Sequence, residues 1–439
     1  MAPVWFSQPW GGTDDKVFPF LECTVGFMLL VYALHTYLDE RQYKALQKPT
    51  PPTALAKDYT ISEYKKTQAY NVDKWWFALY QGLWSTTLTT VLLLNGYLPW
   101  MWDKSTAVAV KLGYDASHEI KIAIIFMALE GLKDMILGLP WSLWATFIIE
   151  ERHGFNKQTL RLFFLDKLKE LALALVLMPP ILAGFLYILQ HTGPYVALYV
   201  WAFLFGIQIF LMTIYPVAIA PLFNKFNPLP EGSLREQIEK LAGSLNFPLK
   251  KLYVIDGSTR SAHSNAYMYG FFNNKRIVLY DTLIDQCSAE QVVAVLAHEL
   301  GHWKLRHTVK NLILAQVVLI AQLVLFTFLR TSKSLFVSFG FQKVQPVFIA
   351  FELFQLISAP MDQILSFLNN ILSRKYEFQA DHFAVELGHS QQLQEALVKL
   401  DAKNRSATHV DPWYSTYHYS HPPLIERLAA IQAASKKTE

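Results

Sequence analysis

Seven long apolar stretches limit the architecture of this 439-residue chain more than any other feature. A helix needs about 20 mainly apolar residues to cross a bilayer. The stretches cover residues 17–38, 76–102, 122–149, 171–189, 195–223, 312–329 and 347–368. Buried helices of a large soluble protein are the alternative. Charged residues make up only 17% of the chain, against about 25% in soluble domains, which favours a mainly α-helical membrane protein with seven spanning helices.

Positive charges in the connecting loops predict the orientation. Loop 39–75 carries seven Lys and Arg residues and loop 150–170 carries five, whereas loop 103–121 carries three. Cytosolic loops are enriched in Lys and Arg. We therefore expect a lumenal N-terminus, with loop 224–310 and the C-terminal tail in the cytosol. The terminal Lys436 and Lys437 resemble a dilysine retrieval signal, which predicts the endoplasmic-reticulum membrane, with the nuclear envelope as a further location; a solvated charged terminus is the alternative.

Two stretches between and after the apolar runs have the patterns of water-exposed structure. Residues 251–255 and 276–280 alternate as short strands do, and Ser233 and Ser288 are each followed three residues later by Glu or Gln, as in a capping box. We divide the chain into five membrane helices (1–223), a first cytosolic protease part (224–310), two further membrane helices (311–371), and a second protease part with the tail (372–439).

The sequence His298-Glu299-Leu-Gly-His302 carries the clearest chemistry. Residues i and i+4 lie on one face of a helix, so His298 and His302 can present two imidazoles to one Zn²⁺ ion. Zinc lowers the pKa of a bound water to about 7, and Glu299 is placed to accept its proton as general base. An amphipathic helix with two surface histidines is the alternative, but the helix is otherwise apolar, which favours a buried metal site.

A zinc site of this kind needs a third protein ligand. A metzincin would continue with Gly and His where this chain has Leu305 and Thr308, so that class is excluded. His307 has the wrong spacing to share the metal with His302. Glu377 is the better candidate, and Asp381, four residues later, could hydrogen-bond a ligand histidine. A solvated helix face of mixed charge remains an alternative reading of this segment.

Three further residues are candidates for substrate contacts. Asn265 precedes the second predicted strand and could hold a substrate backbone, although a turn asparagine is the simpler reading. His421 could stabilise an oxyanion and Arg427 could bind a carboxylate, although the prolines after His421 also fit an ordinary helix start.

The cysteine count and the distribution of charged residues exclude several kinds of site and partner. Two cysteines exclude a disulfide framework or a cysteine metal cluster, and the chain lacks a basic tract alternating with aromatics, so we expect no nucleic-acid partner. Charges within the apolar runs are expected to face a cavity or to form ion pairs. These residues are Glu130, Lys133, Asp134, Glu352 and Asp362.

Five motifs occur in order on this seven-span chain, namely residues 149–156, Ser264-Asn265-Ala-Tyr267, His298-Glu-Leu-Gly-His302, Glu377-Phe-Gln-Ala-Asp381 and Ser420-His421-Pro-Pro423. With them the chain resembles the type I CAAX prenyl endopeptidases of eukaryotes over essentially its full length. The resemblance implies seven helices around a large water-filled chamber, capped by a gluzincin-like zinc metallopeptidase domain. It implies zinc ligands His298, His302 and Glu377, with Glu299 as base. It also implies roles for Asn265, His421 and Arg427 toward substrate and transition state.

The activity implied by the resemblance is removal of the last three residues from prenylated proteins ending in Cys-a-a-X, with a second upstream cut in a farnesylated precursor in some members. A membrane-protein quality-control metalloprotease is the alternative enzyme. A transporter or receptor is the alternative from another class, against which the lack of repeat symmetry between the two halves argues.

Overall fold

The computed structural model describes residues 17–270 and 274–438. Its α-helices, in chain order, are α1 (Phe20–Leu46), α2 (Ile61–Leu94), α3 (Tyr97–Lys111), α4 (Glu119–Trp144), α5 (Leu160–His191), α6 (Val196–Ile214), α7 (Ser233–Ser244), α8 (Asp281–Gln286), α9 (Ala289–Lys304), α10 (His307–Leu329), α11 (Lys333–Ser338), α12 (Val347–Glu386), α13 (Ser390–Asn404), α14 (Pro412–His418) and α15 (Leu424–Thr438). Its strands are β1 (Phe226–Pro228), β2 (Leu249–Ile255), β3 (Ala266–Tyr269) and β4 (Lys275–Tyr280).

Six helices of the described chain are long and apolar enough to cross a membrane: α1, α2, α5, α6 with its irregular continuation to Leu222, α10 and α12. The third predicted span corresponds to α4, which has 26 residues and continues as a π-helix, Ala145–Glu150. It is long enough to cross, but it carries Glu130, Lys133 and Asp134 in its middle.

One apolar cluster gathers one end of each of these seven helices, and we call this the closed end. It contains the starts of α1, α4, α6 and α12 and the ends of α2, α5 and α10, represented by Leu21, Ile122, Val196, Phe348, Leu93, Leu186 and Phe326. Along the chain, these helices alternately start and end at this layer. Each long helix therefore runs antiparallel to the one before it. The arrangement gives seven long antiparallel helices in the described chain, with α3 and α11 packed at the closed end.

Most of the apolar helices bury little of their surface. In five of the six apolar helices, at most 17% of the most apolar stretch is buried. A solid bundle would bury one stripe of each helix against its neighbours. Such low burial differs from that of a solid bundle and agrees with the predicted chamber.

Two local predictions were wrong. The stretch 76–102 is not one helix, because α2 ends at Leu94 and Gly96 adopts the left-handed conformation (φ 67°), so that Trp102 lies in α3. Such a positive φ suits glycine and breaks the helix. Ser233 does not cap α7: it is the first helical residue, after Gly232, and its hydroxyl accepts a hydrogen bond from Gln237.

The charged groups in the apolar runs mostly pair with polar neighbours. Lys133 Nζ lies 2.6 Å from Glu130 Oε2 and 3.3 Å from Asp134 Oδ1, and the Tyr97 hydroxyl donates to Glu130. Asp362 accepts a hydrogen bond from the Gln322 amide at 2.7 Å. The ion pairs that the sequence allowed at Lys133 are therefore present.

A small sheet and six helices form a second packing unit, which we call the sheet unit (226–304 and 384–438). The strand order is β1-β2-β4-β3, with β2 and β4 parallel and the other pairs antiparallel. The predicted strands 251–255 and 276–280 correspond to β2 and β4, whereas β1 and β3 were not predicted. Asn273, predicted to lie in the connection between β2 and β4, is outside the described residues. One buried core joins residues from both parts of the unit, including Ile277, Leu296, Ala384 and Ile431.

The close packing of α9 against α12 depends on Gly301. A Cβ at this position would lie 3.2 Å from the Ala380 Cα and 3.1 Å from a ring carbon of Phe383. Backbone contacts of that kind cannot yield without moving one helix. Gly301 therefore sets the distance at which the two helices approach.

We expect Gly301→Val to destabilise the protein by about 1–3 kcal/mol, because it overpacks the α9–α12 contact. The change should lower the apparent Tm in detergent. Gly243→Ala is the matched control, since its Cβ would meet nothing within 4 Å in α7. Alanine should stabilise that helix by up to about 1 kcal/mol. An unchanged Tm for Gly301→Val would contradict the packing argument.

Candidate metal centre

Helix α9 presents the two histidines. It begins with a capping box in which Ser288 and Gln291 exchange hydrogen bonds with each other's backbone amides, as the sequence predicted. One face of α9 is buried in the sheet unit. His298 is buried and His302 is half-buried one turn later, and their Nε2 atoms lie 3.2 Å apart.

Helix α12 supplies a carboxylate to the same point. Glu377 Oε1 lies 3.3 Å from His302 Nε2, and Glu377 Oε2 lies 3.6 Å from His298 Nε2. One ligand atom from each of the three residues falls within 4.8 Å of the others. Because α12 runs unbroken from Val347 to Glu386, the helix that crosses from the closed end also carries this carboxylate. The structure thus joins the three residues that the sequence suggested as ligands.

Hydrogen bonds orient His298. Its Nδ1 donates to Asp381 Oδ1 at 2.8 Å, which leaves Nε2 free to face Glu377 and His302. Arg427, on α15, donates from Nε and Nη2 to the two oxygens of Asp381 at 2.9 and 2.6 Å. Its guanidinium is therefore engaged with the protein's own carboxylate. A bidentate pair of this kind fixes Asp381 and, through it, the imidazole.

His421 lies at the exposed side of the cluster formed by His298, His302 and Glu377. Its side chain is 68% exposed, and its Nε2 lies 3.4 Å from Glu377 Oε1. The Ser420 hydroxyl lies 3.1 Å from Nδ1 of the same ring. If that hydroxyl donates, Nε2 carries the hydrogen and can donate toward a ligand above the glutamate.

Burial and charge shift two pKa values here. Burial raises the pKa of the Glu299 carboxyl, against the opposing effect of His298 and His302. Burial opposes protonation of His298, but the hydrogen bond to Asp381 and the nearby Glu377 carboxylate outweigh it and raise the pKa of His298 to about 9. The carboxylates around His298 thus favour a positive charge at this point, either a proton or a metal ion. Among the described residues, none hydrogen-bonds the Glu299 carboxylate, which leaves it available to a ligand.

Asn265 is held by hydrogen bonds next to the sheet. It directly precedes β3, the strand at one edge of the sheet. Its backbone oxygen accepts from Tyr280 N at 3.1 Å and its side-chain oxygen accepts from Ala266 N at 2.8 Å. In the described part of the chain no hydrogen bond joins Asn265 to the histidines or to Glu377.

Two residues that touch the group were not predicted for it. His307 was set aside as a ligand, but its Nδ1 lies 2.9 Å from His302 Nδ1, and its Nε2 lies 3.0 Å from Gln379 Oε1. The helix break at Arg306 (φ 58°) turns His307 back toward His302. Sequence spacing cannot give a contact across such a break. Gln379 could have been suspected only from its place between Glu377 and Asp381.

Comparison with known proteins identifies the family. Residues 42–225 match the family model of the CAAX prenyl protease N-terminal region with five membrane helices, and residues 228–435 match that of peptidase family M48. A "CAAX prenyl protease 1 homolog" of Oryza sativa is 52% identical over 96% of this chain and 99% of its own length. The chain belongs to the CAAX prenyl proteases of peptidase family M48.

Other relatives agree. The human "CAAX prenyl protease 1 homolog" is 41% identical over 92% of this chain and 94% of its own length. The crystal structure of Ste24p from S. mikatae has a TM-score of 0.90 and 36% identity, and the match covers 95% of this chain and all of that one. The predicted family, fold class and metalloprotease activity are confirmed. The chain is a multi-pass membrane protein, and its family implies a metal cofactor.

Proposed function

We propose that His298, His302 and Glu377 hold one Zn²⁺ ion. Two imidazole nitrogens and a carboxylate oxygen are a ligand set that catalytic zinc uses, with one position left open. The observation that carries the proposal is Glu377 Oε2, which is buried and has no hydrogen-bond partner. A buried anionic oxygen without a hydrogen bond is costly, and a metal ion at this point would satisfy it.

In the proposed reaction, zinc supplies a Lewis acid that acidifies water and polarises the scissile carbonyl. Glu299 accepts the proton of the attacking water on its carboxylate and passes it to the leaving amine nitrogen. Burial raises the pKa of the Glu299 carboxyl, which makes its carboxylate a stronger base for that transfer. His421 Nε2 donates a hydrogen bond to the oxyanion, and Arg427 and Asp381 hold His298 in place.

Asn265 is proposed to hold the backbone of the substrate. It stands where β3 begins, and β3 is the edge strand of the sheet in the described part of the chain. An extended peptide can add to such an edge through main-chain hydrogen bonds. The Asn265 side chain would then fix the peptide at one end of that edge.

The proposed substrates are proteins and peptides that end in a prenylated CAAX sequence, from which the enzyme removes the C-terminal tripeptide. A second upstream cut in a farnesylated precursor is included in the proposal. The names of the relatives support it, and so do the long apolar helices, which place the enzyme in the lipid that holds a prenyl chain. A prenyl chain partitions into lipid. We place the enzyme in the endoplasmic-reticulum membrane with a lumenal N-terminus and a cytosolic sheet unit, from the loop charges and from Lys436 and Lys437.

The test uses purified protein in detergent with a farnesylated CAAX peptide and the same peptide without the farnesyl group. We expect release of the tripeptide from the farnesylated peptide only, loss of cleavage with a zinc chelator, and recovery when zinc is restored. Cleavage of unprenylated, unfolded membrane proteins at a comparable rate would favour the quality-control alternative. Bound zinc with no hydrolysis of any peptide would favour a receptor or transporter.

A further inference from the structure

Three side chains form a hydrogen-bonded series on the side of His302 that faces away from Glu377. His302 Nδ1 lies 2.9 Å from His307 Nδ1, and His307 Nε2 lies 3.0 Å from Gln379 Oε1. The series joins α9, the first residue of α10, and α12. His307 and Gln379 lie outside the ligand set, and the mechanism above does not use them.

The direction of these hydrogen bonds follows from their last member. An amide oxygen only accepts, so His307 Nε2 must carry a hydrogen and donate it to Gln379. In a neutral His307 ring, Nδ1 then has a lone pair and accepts. His302 must therefore donate from its own Nδ1, which leaves its Nε2 without a hydrogen. If these hydrogen bonds ran in the opposite direction, His302 Nδ1 would accept. His302 Nε2 would then carry the hydrogen and could not bind a metal.

Different partners thus hold His298 and His302 in the same tautomer. Asp381 accepts from His298 Nδ1 at 2.8 Å, and His307 accepts from His302 Nδ1. We infer that His307, oriented by Gln379, is a positioning residue that fixes His302 in the tautomer whose Nε2 can bind the metal. The inference rests on the proposed metal site.

The surroundings of His307 hold its ring in this orientation. The residue is 2% exposed, and its ring stacks on Tyr376 with centroids 4.0 Å apart and planes inclined by 8°. Tyr376 directly precedes Glu377 on α12. The stack therefore holds the His307 ring against the same helix turn that carries the carboxylate.

The decisive comparison is between His307→Phe and His307→Asn. Phenylalanine keeps the ring and the stack on Tyr376 but removes the acceptor. Asparagine loses the ring but places an amide oxygen at the position of Nδ1. We expect zinc affinity, measured by competition with a chromogenic chelator, to fall about 10–100-fold in His307→Phe and to stay within about threefold of wild type in His307→Asn.

Gln379 gives a second pair of variants at an exposed position, where folding is less at risk. Gln379→Glu keeps an acceptor for His307 Nε2 and should retain zinc affinity. Gln379→Leu removes the acceptor and should weaken zinc binding in the same direction as His307→Phe. His382→Phe is the control: His382 lies on the same helix but pairs with Glu386 at the surface.

Each result separates the inference from the proposed function. If the wild-type protein binds no zinc, the proposed metal site fails. If it binds zinc and both His307→Phe and Gln379→Leu bind it equally well, the positioning role fails alone. A fall in the Tm of metal-free His307→Phe without a change in zinc affinity, or an equal loss in His307→Asn, would show that His307 serves packing only.

Discussion

Glu299→Gln is expected to lower the rate of peptide cleavage by about a hundredfold to ten-thousandfold while metal content and fold stay unchanged. Glutamine has nearly the same shape but cannot accept the proton of the attacking water. The side chain lies beside the proposed ligands, and no hydrogen bond within the described structure depends on it. The kcat of farnesylated-peptide cleavage is the measurement, with zinc determined by elemental analysis.

The matched control for this prediction is Glu290→Gln, on the same helix. Glu290 is an exposed residue in the first turn of α9, away from the histidines. Its variant should cleave the peptide at the wild-type rate. Wild-type turnover by Glu299→Gln would remove Glu299 from the mechanism.

Glu377→Gln is expected to lower zinc affinity about a hundredfold to five-thousandfold. The change removes the only negative charge among the three proposed ligands. Loss of one partner from a buried charged group costs about 3–5 kcal/mol, and each 1.4 kcal/mol corresponds to a factor of ten. Cleavage should be lost at low zinc and should recover in part when zinc is added in excess.

Recovery with zinc distinguishes the two variants. Excess zinc should not rescue Glu299→Gln, because that variant retains its metal and lacks the base. Glu386→Gln is the control for Glu377→Gln, since Glu386 lies near the end of α12, exposed and paired only with His382 in the described structure. Wild-type zinc affinity in Glu377→Gln would exclude this carboxylate as a ligand.

The parts of the structure that the sequence predicted are those in which neighbours along the chain decide the outcome. The span positions follow from apolar runs of membrane length, and β2 and β4 follow from local alternation. His298 and His302 share a face because they are one helical turn apart on α9. The errors were also local: a run of apolar residues conceals the helix break at Gly96, and the capping pattern at Ser233 lies one residue inside α7.

Family resemblance placed Glu377 in the centre, whereas its spacing left a solvated helix face as an alternative. Glu377 follows His302 by 75 positions and two membrane helices, and it reaches the histidines because Gly301 lets α12 pack closely on α9. The pairing of Arg427 with Asp381 and the contact of His307 with His302 likewise join separate helices.

The sequence by itself determined the membrane spans, the two-histidine helix and the family. Only the tertiary structure decided which partner holds each imidazole, that Glu377 Oε2 is buried without a hydrogen bond, and that the long helices meet in one apolar cluster at one end. Hydrogen bonding, burial and the space between helices depend on the packing of segments far apart in the chain, and local sequence patterns do not encode that packing.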